Sequence, residues 1–251
     1  LSKKGTANCY IVTKAGEYKF STVKGNSTES VGAVNKAEIL WETWNNDQEV
    51  TPNSVIACVA AGNGIISFAT PSTLKPGNAL IAAKDENGVI LWSWHIWIPE
   101  TPVQNLVSSA FLDTKAVQTV ALDRNLGALV AANSTDGASV YAFGLYYQWG
   151  RKDPLLGEKI TAVPADVVKQ FVKDVQTDVA TAIQNPVVFY YNEGKDWLAT
   201  PDATLWDNEG KKTIYDPCPP GYRVPVYDKA LPLWAGSDEG FTYDGNRVSY
   251  G

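Results

Sequence analysis

Two short blocks constrain the fold of this 251-residue chain more than any other feature. They read GLYYQWGRKDP over residues 144–154 and YDPCPPGYRVP over residues 215–225. Proline fixes φ and removes a backbone donor, while glycine permits sharp reversals, so neither block suits a regular strand or helix. We therefore expect two rigid loops of defined shape.

The composition predicts a turn-rich β protein. Apolar residues make up 45% of the chain, which is enough to fill a core, and only 19% of the residues are charged. The net charge of −6, without any cluster of Lys and Arg, argues against a nucleic-acid partner or an anionic membrane surface. No run of residues approaches the roughly 18 apolar positions of a transmembrane helix.

The first hundred residues predict successive short strands. Residues 8–13 and 16–20 are β-rich, and residues 39–44 alternate apolar and polar side chains. Two hairpins are expected, one joining 55–59 to 65–69 and one joining 79–84 to 89–98, because Asn-Gly pairs favour tight turns. Seven or so strands predict an immunoglobulin-like β-sandwich over residues 1–100.

The strand at residues 91–97 carries three tryptophans. Trp92 and Trp94 lie on one face, which we interpret as core, and a Trp platform for a sugar or a base is the alternative. Ser93, His95 and Trp97 lie on the other face. Trp97 is expected to cover an edge or the domain junction. His95 is interpreted as a hydrogen-bonded surface residue, because no Ser or carboxylate accompanies it at a catalytic spacing.

The second half of the chain predicts a mixed α+β domain over residues 101–251. Prolines 99 and 102 indicate a linker. A strand running into a turn is expected at 117–127, another strand at 187–191 and a hairpin near the C-terminus. Apolar spacing over 164–186 predicts an amphipathic helix, with a strand pair as the alternative because valine is frequent there.

Several polar residues are predicted to hold this second domain in shape. Asp123 with Arg124, and Arg151 with Asp153, are interpreted as structural ion pairs. Within the blocks, Tyr146 and Trp149 are expected to pack inward, which leaves Tyr147 or Gln148 facing outward. In the second block, Cys218 and the prolines lock the loop and Gly221 allows its reversal. Arg223 is expected to be buried or half-buried, bridging loop carbonyls or a carboxylate such as Asp123 or Asp216.

Metal and thiol chemistry find little support in the sequence. Cys9, Cys58 and Cys218 cannot all pair, so we expect buried thiols or at most one bridge between Cys9 and Cys58. The chain has one histidine and no C-x-x-C, and its acidic loops at 202–209 and 238–244 lack the spacing of a calcium site. Neither a metal nor a cofactor is predicted.

Three blocks in order carry a family resemblance. DRNLGA at 123–128, with residues 144–154 and 216–225, resembles the signature blocks of the Fibrobacter succinogenes major paralogous domain, found in surface proteins and lipoproteins of Bacteroidetes-type bacteria. Residues 5–12, 23–26 and 90–97 are similar to the β domain that often precedes it in large, sometimes fimbrillin-related, Bacteroides proteins.

The resemblance implies an exported protein at the cell surface or outer membrane, without established enzymatic activity. Its contact with the membrane would be through a lipid on an upstream cysteine. The second domain resembles the C-type-lectin-like fold of the formylglycine-generating enzymes, chiefly through GYRVP at 221–225. Members of the family continue with further strands, which implies that this domain is incomplete at its C-terminus.

The leading hypothesis for function is a non-enzymatic surface module that binds a glycan, a peptide or a partner protein. Aromatic faces beside an arginine suit such ligands, and the candidate residues are Tyr146, Tyr147, Trp149, Arg151, Trp197 and Trp206.

A subunit of an outer-membrane assembly, either a pilus tip or an accessory lipoprotein of a nutrient importer, is the alternative. A glycosidase using carboxylate pairs such as Asp196 with Asp202, or Asp207 with Glu209, is a weaker alternative, so no catalytic residue is predicted.

Overall fold

The computed structural model describes residues 1–44, 50–108, 119–131, 140–156, 170–193, 195–224, 241–243 and 248–250. Strands dominate its regular structure, and they form several separate sheets. The prediction of a β-rich chain with some helix is therefore confirmed.

Seven strands lie in the described part of the first hundred residues. They are β1 (Cys9–Ile11), β2 (Glu17–Ser21), β3 (Lys36–Thr43), β4 (Cys58–Gly62), β5 (Ile65–Ala69), β6 (Gly77–Lys84) and β7 (Ile90–Ile98). A four-stranded sheet has the order β1-β7-β6-β3, and a three-stranded antiparallel sheet has the order β2-β5-β4. The pairing of β1 with β7 is parallel, which the sequence did not predict.

Both predicted hairpins are present. The β4–β5 turn places Asn63 at φ 51° and Gly64 at φ 72°, the left-handed values that a two-residue turn of this kind requires. The β6–β7 turn is closed by Asp85, whose carboxylate accepts from the backbone N–H of Asn87 and Val89. The first hairpin begins later than expected, because the N–H groups of residues 54–56 bind the Glu42 carboxylate instead of a neighbouring strand.

The two sheets pack on one shared apolar core. Trp92, Trp94 and Ile96 of β7 face Phe20 of β2 and Phe68 of β5, and all five side chains are buried. The rings of Phe20 and Trp94 lie 5.1 Å apart. The interpretation of Trp92 and Trp94 as core residues is confirmed.

The second half contains short elements. They are β8 (Asn105–Ser108), β9 (Thr119–Leu122), β10 (Gln170–Lys173), α1 (Val179–Gln184), β11 (Val188–Tyr191), β12 (Asp207–Asn208), β13 (Lys211–Lys212), β14 (Phe241–Tyr243) and β15 (Val248–Tyr250). The strands pair as β8-β9, β10-β11, β12-β13 and β14-β15. The predicted strands near 119–122 and 187–191 and the C-terminal hairpin are confirmed, while residues 244–247 of that hairpin lie outside the described part.

The prediction of a single helix over residues 164–186 is wrong for residues 170–186, the part of that range that the structure describes. Residues 170–173 form the strand β10, but its parallel partner β11 lies beyond residue 186 and residues 179–184 are helical, so the predicted strand pair within this range is wrong as well. Helix α1 begins only after Asp178, whose carboxylate accepts from the backbone N–H of Thr181 at 2.8 Å. Residues 164–169 lie outside the described residues.

The segments on either side of residue 100 share a buried interface. The indole N–H of Trp97 donates to the Ala128 carbonyl at 3.0 Å, and the Asn78 side chain donates to the Gly127 carbonyl at 2.9 Å. The backbone N–H of Glu100 donates to Leu129 at 2.9 Å. Trp97 therefore lies between these two segments, which is one of the two positions predicted for it, and a domain boundary at residue 100 stays a prediction.

Candidate functional site

The loop at residues 144–156 is irregular, as its sequence predicts. Gly144 and Gly150 adopt φ 77° and 86°. A Cβ at Gly144 would lie 2.5 Å from the Leu126 carbonyl oxygen, and one at Gly150 would lie 2.8 Å from the Leu205 side chain. Both positions therefore require glycine for their backbone conformation and for close packing.

Arg151 fixes this loop from inside. Its guanidinium donates to the Gln148 side chain at 2.8 Å and to the Val188 carbonyl at 2.5 Å, and it also reaches carbonyls at the end of α1. Burial lowers the pKa of Arg151, and the nearby Asp153 opposes that shift. The predicted ion pair with Asp153 is wrong, because backbone carbonyls take the place of the carboxylate.

Trp149 projects from the same loop into solvent, with 44% of its surface exposed. Its ring lies 4.7 Å from the ring of Trp206, at an interplanar angle of 51°. The indole N–H of Trp206 donates to the Arg151 carbonyl at 2.9 Å, and that of Trp197 donates to the Trp149 carbonyl at 2.7 Å. Two buried indoles thus hold the backbone on both sides of Gly150, and the exposed ring has a rigid base.

The six predicted binding residues divide into one exposed ring and its support. Trp149 is exposed, so its predicted inward packing is wrong. Tyr146 and Tyr147 are partly buried. Arg151, Trp197 and Trp206 are buried, so the prediction that they present a surface is wrong. The physical reason is that their N–H groups are used by loop carbonyls that would otherwise be unpaired.

Gln148 is also buried, although it was a candidate for the outward position. Its side-chain nitrogen donates to the Tyr190 carbonyl at 2.7 Å, and its oxygen accepts from the Tyr190 N–H at 3.2 Å. An amide that matches both backbone groups of one residue extends the β11 edge into the loop.

A buried polar cluster joins the same loop to β7. Ser93 donates from Oγ to Asp153 Oδ1 at 2.6 Å, and Lys152 donates to Ser93 Oγ at 2.6 Å and to Asp153 at 2.5 Å. The ammonium of Lys152 also lies 4.6 Å from the centroid of the Trp92 ring. Burial lowers the pKa of Lys152, and the Asp153 carboxylate opposes this shift. Ser93 belongs to β7 and is fully buried, whereas Lys152 and Asp153 belong to the loop. The cluster therefore fastens the loop to the sheet.

His95 lies beside this cluster and is buried, so the prediction of a surface position is wrong. Asn78 donates its amide to Gly127, which leaves Oδ1 to accept from His95 Nε2 at 2.7 Å. The histidine is therefore the neutral Nε2–H tautomer, with Nδ1 3.5 Å from the Tyr147 hydroxyl. Burial lowers the pKa of His95 to about 3. The prediction that it is hydrogen-bonded is confirmed.

Asp216 organises the second block. Its carboxylate is fully buried and accepts from the backbone N–H of Cys218 and of Val224, both at 2.7 Å. Gly221 takes φ 89°, which confirms the predicted reversal. The loop is therefore wrapped around one carboxylate.

Arg223 differs from its prediction. Its side chain is exposed, and it binds Asp207 Oδ2 at 3.0 Å and the Gly210 carbonyl at 2.5 Å. The expected partners are both occupied, because Asp216 binds backbone N–H groups and Asp123 binds Arg124. The predicted bridging of a loop carbonyl and a carboxylate is therefore confirmed, whereas the predicted burial and the two carboxylates named for it were wrong.

The ion pair of Asp123 with Arg124 is confirmed. Arg124 donates from Nε at 2.7 Å and from Nη2 at 2.8 Å to the two carboxylate oxygens. Its remaining donors reach the carbonyls of Thr101, Pro102 and Leu129. This bidentate pair fixes the chain that follows β7 against the loop at residues 123–129.

All three cysteines are free. Cys9 and Cys218 are buried, and burial raises the pKa of both thiols. Cys58 is exposed, so neither a buried thiol there nor a Cys9–Cys58 bridge is present.

The acidic loop residues have local partners. Asp196 binds the Leu198 N–H, Asp202 binds Thr204, and Asp207 binds Arg223. In the part of the chain that the structure covers, no group of three or more His, Cys, Asp and Glu side chains is placed to hold a metal ion. None of the helices described there is long and apolar enough to cross a membrane.

The polar residues of the junction were missed by reasoning from sequence. They are Asn8, Asn78, Ser93 and Lys152, all buried, and for Asp153 the partner was missed, since it pairs with Lys152. The available signal was the polar face of β7, where Ser93 and His95 alternate with tryptophan. A polar face beside a predicted domain boundary can indicate a covered interface as well as a solvated one.

In the described residues, the structure defines a mostly β protein with buried polar contacts at the junction and with the exposed Trp149 indole on a loop held by hydrogen bonds. No protein-family model, no curated protein and no solved structure matches the chain.

Proposed function

We propose that this protein is a non-enzymatic binding module of the bacterial cell surface and that Trp149 is its principal contact residue. The observation that carries the proposal is an indole with 44% of its surface exposed on a loop that is otherwise fixed by buried donors. An aromatic ring held at the surface by a fixed backbone offers a flat apolar face on which a ligand can stack.

The rigidity of the loop that carries Trp149 favours binding, because the loop loses little conformational entropy when a ligand binds. The Trp149 ring packs on Trp206, and the backbone beneath it is held by the indole N–H groups of Trp197 and Trp206. A ligand that stacks on the free face of Trp149 therefore meets a preorganised surface. The flat apolar face of a sugar ring or a planar peptide side chain suits such a surface.

The wider features support an extracellular setting. Seven strands in two facing sheets support an immunoglobulin-like fold for residues 1–100, and loops with short strands support a C-type-lectin-like fold for the second domain. The three sequence blocks that resemble surface lipoproteins support a location at the outer membrane. Contact with the membrane would then be through a lipid anchor upstream of this chain.

A glycan array and a peptide array, probed with the whole chain and with Trp149→Ala, test the proposal. Trp44→Ala is the matched control. Trp44 is also a tryptophan, is 40% exposed and directly follows β3, far from Trp149 in sequence. We expect at least one ligand whose affinity falls about tenfold, or 1.4 kcal/mol, in Trp149→Ala and is unchanged in Trp44→Ala. Silence on both arrays, or binding that does not depend on Trp149, would overturn the proposal.

A further inference from the structure

The strands β1 and β7 lie side by side and run in the same direction. Cys9 lies opposite His95, and Ile11 lies opposite Trp97. In a parallel pair, the chain enters the first strand and leaves the second strand at opposite ends. A pull between the N-terminus and the chain that follows β7 is therefore directed along the two strands and slides one past the other.

The hydrogen bonds between these strands are buried. The His95 N–H donates to the Asn8 carbonyl at 2.8 Å, and the Val12 N–H donates to the Trp97 carbonyl at 2.9 Å. All four residues are buried. Sliding the strands therefore breaks these bonds where water does not replace them, and each broken bond leaves a buried donor and acceptor unpaired.

The strand β7 is well placed to carry such a load. It lies between β1 and β6 in the four-stranded sheet, and it pairs with β6 over most of its length. Lys152 and Asp153 of the loop at residues 144–156 bind Ser93 of β7. A force applied to Trp149 on this loop is therefore transmitted to β7.

We propose that β1 and β7 form a mechanical clamp, which keeps the chain folded when its N-terminal end and the loop that carries Trp149 are pulled apart. The proposal rests on the proposed function only for the source of the force, which is an anchor upstream of this chain and a ligand on Trp149. When the strands slide, their hydrogen bonds share the load and must break together. When the strands are peeled apart, the bonds carry the load one at a time.

Single-molecule force spectroscopy of the whole chain tests the clamp by changing only the direction of the pull. One handle is fixed at the N-terminus throughout. The second handle is attached at Glu100→Cys, just after β7, so that β1 slides along β7, or at Glu86→Cys, just before β7, so that β1 peels away from Asn8 onward. Both glutamates are exposed. Cys58→Ser removes the exposed thiol of the chain.

At the same loading rate, the force that unfolds the chain should be at least about twofold higher through residue 100 than through residue 86. Val12→Pro removes the N–H that donates to Trp97, so it should lower the force through residue 100. It should change the force through residue 86 much less, because peeling begins at Asn8 and reaches Val12 last. A general loss of stability would lower both forces.

The matched control is Thr13→Pro. Thr13 is exposed and follows the last hydrogen bond of the pair, so this proline should leave the force through residue 100 unchanged. Equal forces in the two directions would overturn the proposal, and this comparison needs only Cys58→Ser and the two handle variants, even if Val12→Pro does not fold. A force through residue 100 that Val12→Pro leaves unchanged would also overturn it. No ligand is used, so neither result bears on binding at Trp149, which the arrays test separately.

Discussion

The side-chain amide nitrogen of Asn8 lies 2.9 Å from the carbonyl oxygen of Asp216, a residue 208 positions later in the chain. The same nitrogen donates to the Ile214 carbonyl at 2.7 Å, and the Asn8 oxygen accepts from the Trp92 indole at 2.9 Å. One buried amide thus joins the first strand, the central strand β7 and the second block.

Replacing Asn8 should destabilise the whole chain. Asn8→Ala leaves the Trp92 N–H and two carbonyls without their partner, and we expect a loss of about 2–4 kcal/mol in the free energy of unfolding. Asn8→Asp keeps the acceptor for Trp92 but places a carboxylate against two carbonyls, so it should cost at least as much. Urea denaturation measures both. A variant within about 0.5 kcal/mol of wild type would show that this amide does not hold the junction.

Acid should weaken the fold through His95. The unfolded group has a pKa of 6.5, and burial lowers the folded pKa to about 3, so the unfolded state takes up the proton first as the pH falls. Stability from neutral His95 is thus present above the unfolded pKa and is lost between pH 6.5 and about 3. The expected loss from pH 7 to pH 5 is about 2 kcal/mol.

His95→Gln provides the control for this titration. Glutamine retains a donor for Asn78 but does not titrate, so its stability should depend less on pH over the same interval. The measurement is the difference between the two unfolding free energies at pH 7 and at pH 5. An unchanged difference would mean that His95 does not control the acid response.

Arg151→Lys should be costly despite the retained charge. The guanidinium serves several acceptors in different directions, including Gln148 and Val188, and an ammonium cannot reach them together. We expect a loss of about 3 kcal/mol in thermal or chemical unfolding. Arg223→Lys is the comparison, because that exposed pair should contribute less than about 1 kcal/mol. Equal effects of the two substitutions would contradict this account.

The Lys152–Asp153 pair should behave as one unit. Lys152→Met or Asp153→Leu alone leaves a buried charge uncompensated, at a cost of about 3–5 kcal/mol. The double variant removes both charges and should be more stable than the sum of the single effects by at least about 1 kcal/mol. A double-mutant cycle in urea measures this coupling, and strict additivity would exclude it.

The N-terminal sheets were the most predictable part of the fold. Asn-Gly turns and alternating apolar residues are local signals, and β5, β6 and β7 follow them. The helix predicted over 164–186 failed in its described part because a spacing near 3.6 does not exclude a strand followed by a turn. There β10 gains its parallel partner β11 from a position eighteen residues further along.

The candidate site was predictable in composition but not in orientation. The sequence identified Trp149, Arg151, Trp197 and Trp206 as a group, and the structure brings them together. Which of them is exposed depends on where the loop carbonyls need donors. That requirement arises only when β11, α1 and the loop are packed on each other.

The sequence by itself determined the β-rich character of the chain, the two main hairpins, the irregular blocks and the Asp123–Arg124 pair. Each depends on neighbours in the chain or on backbone angles that glycine, proline and asparagine impose locally. The tertiary structure alone decided the parallel pairing of β1, the burial of His95 and the exposure of Trp149. These features depend on hydrogen-bond partners that lie far apart in sequence, and a buried donor or acceptor takes whichever partner the packing brings within reach.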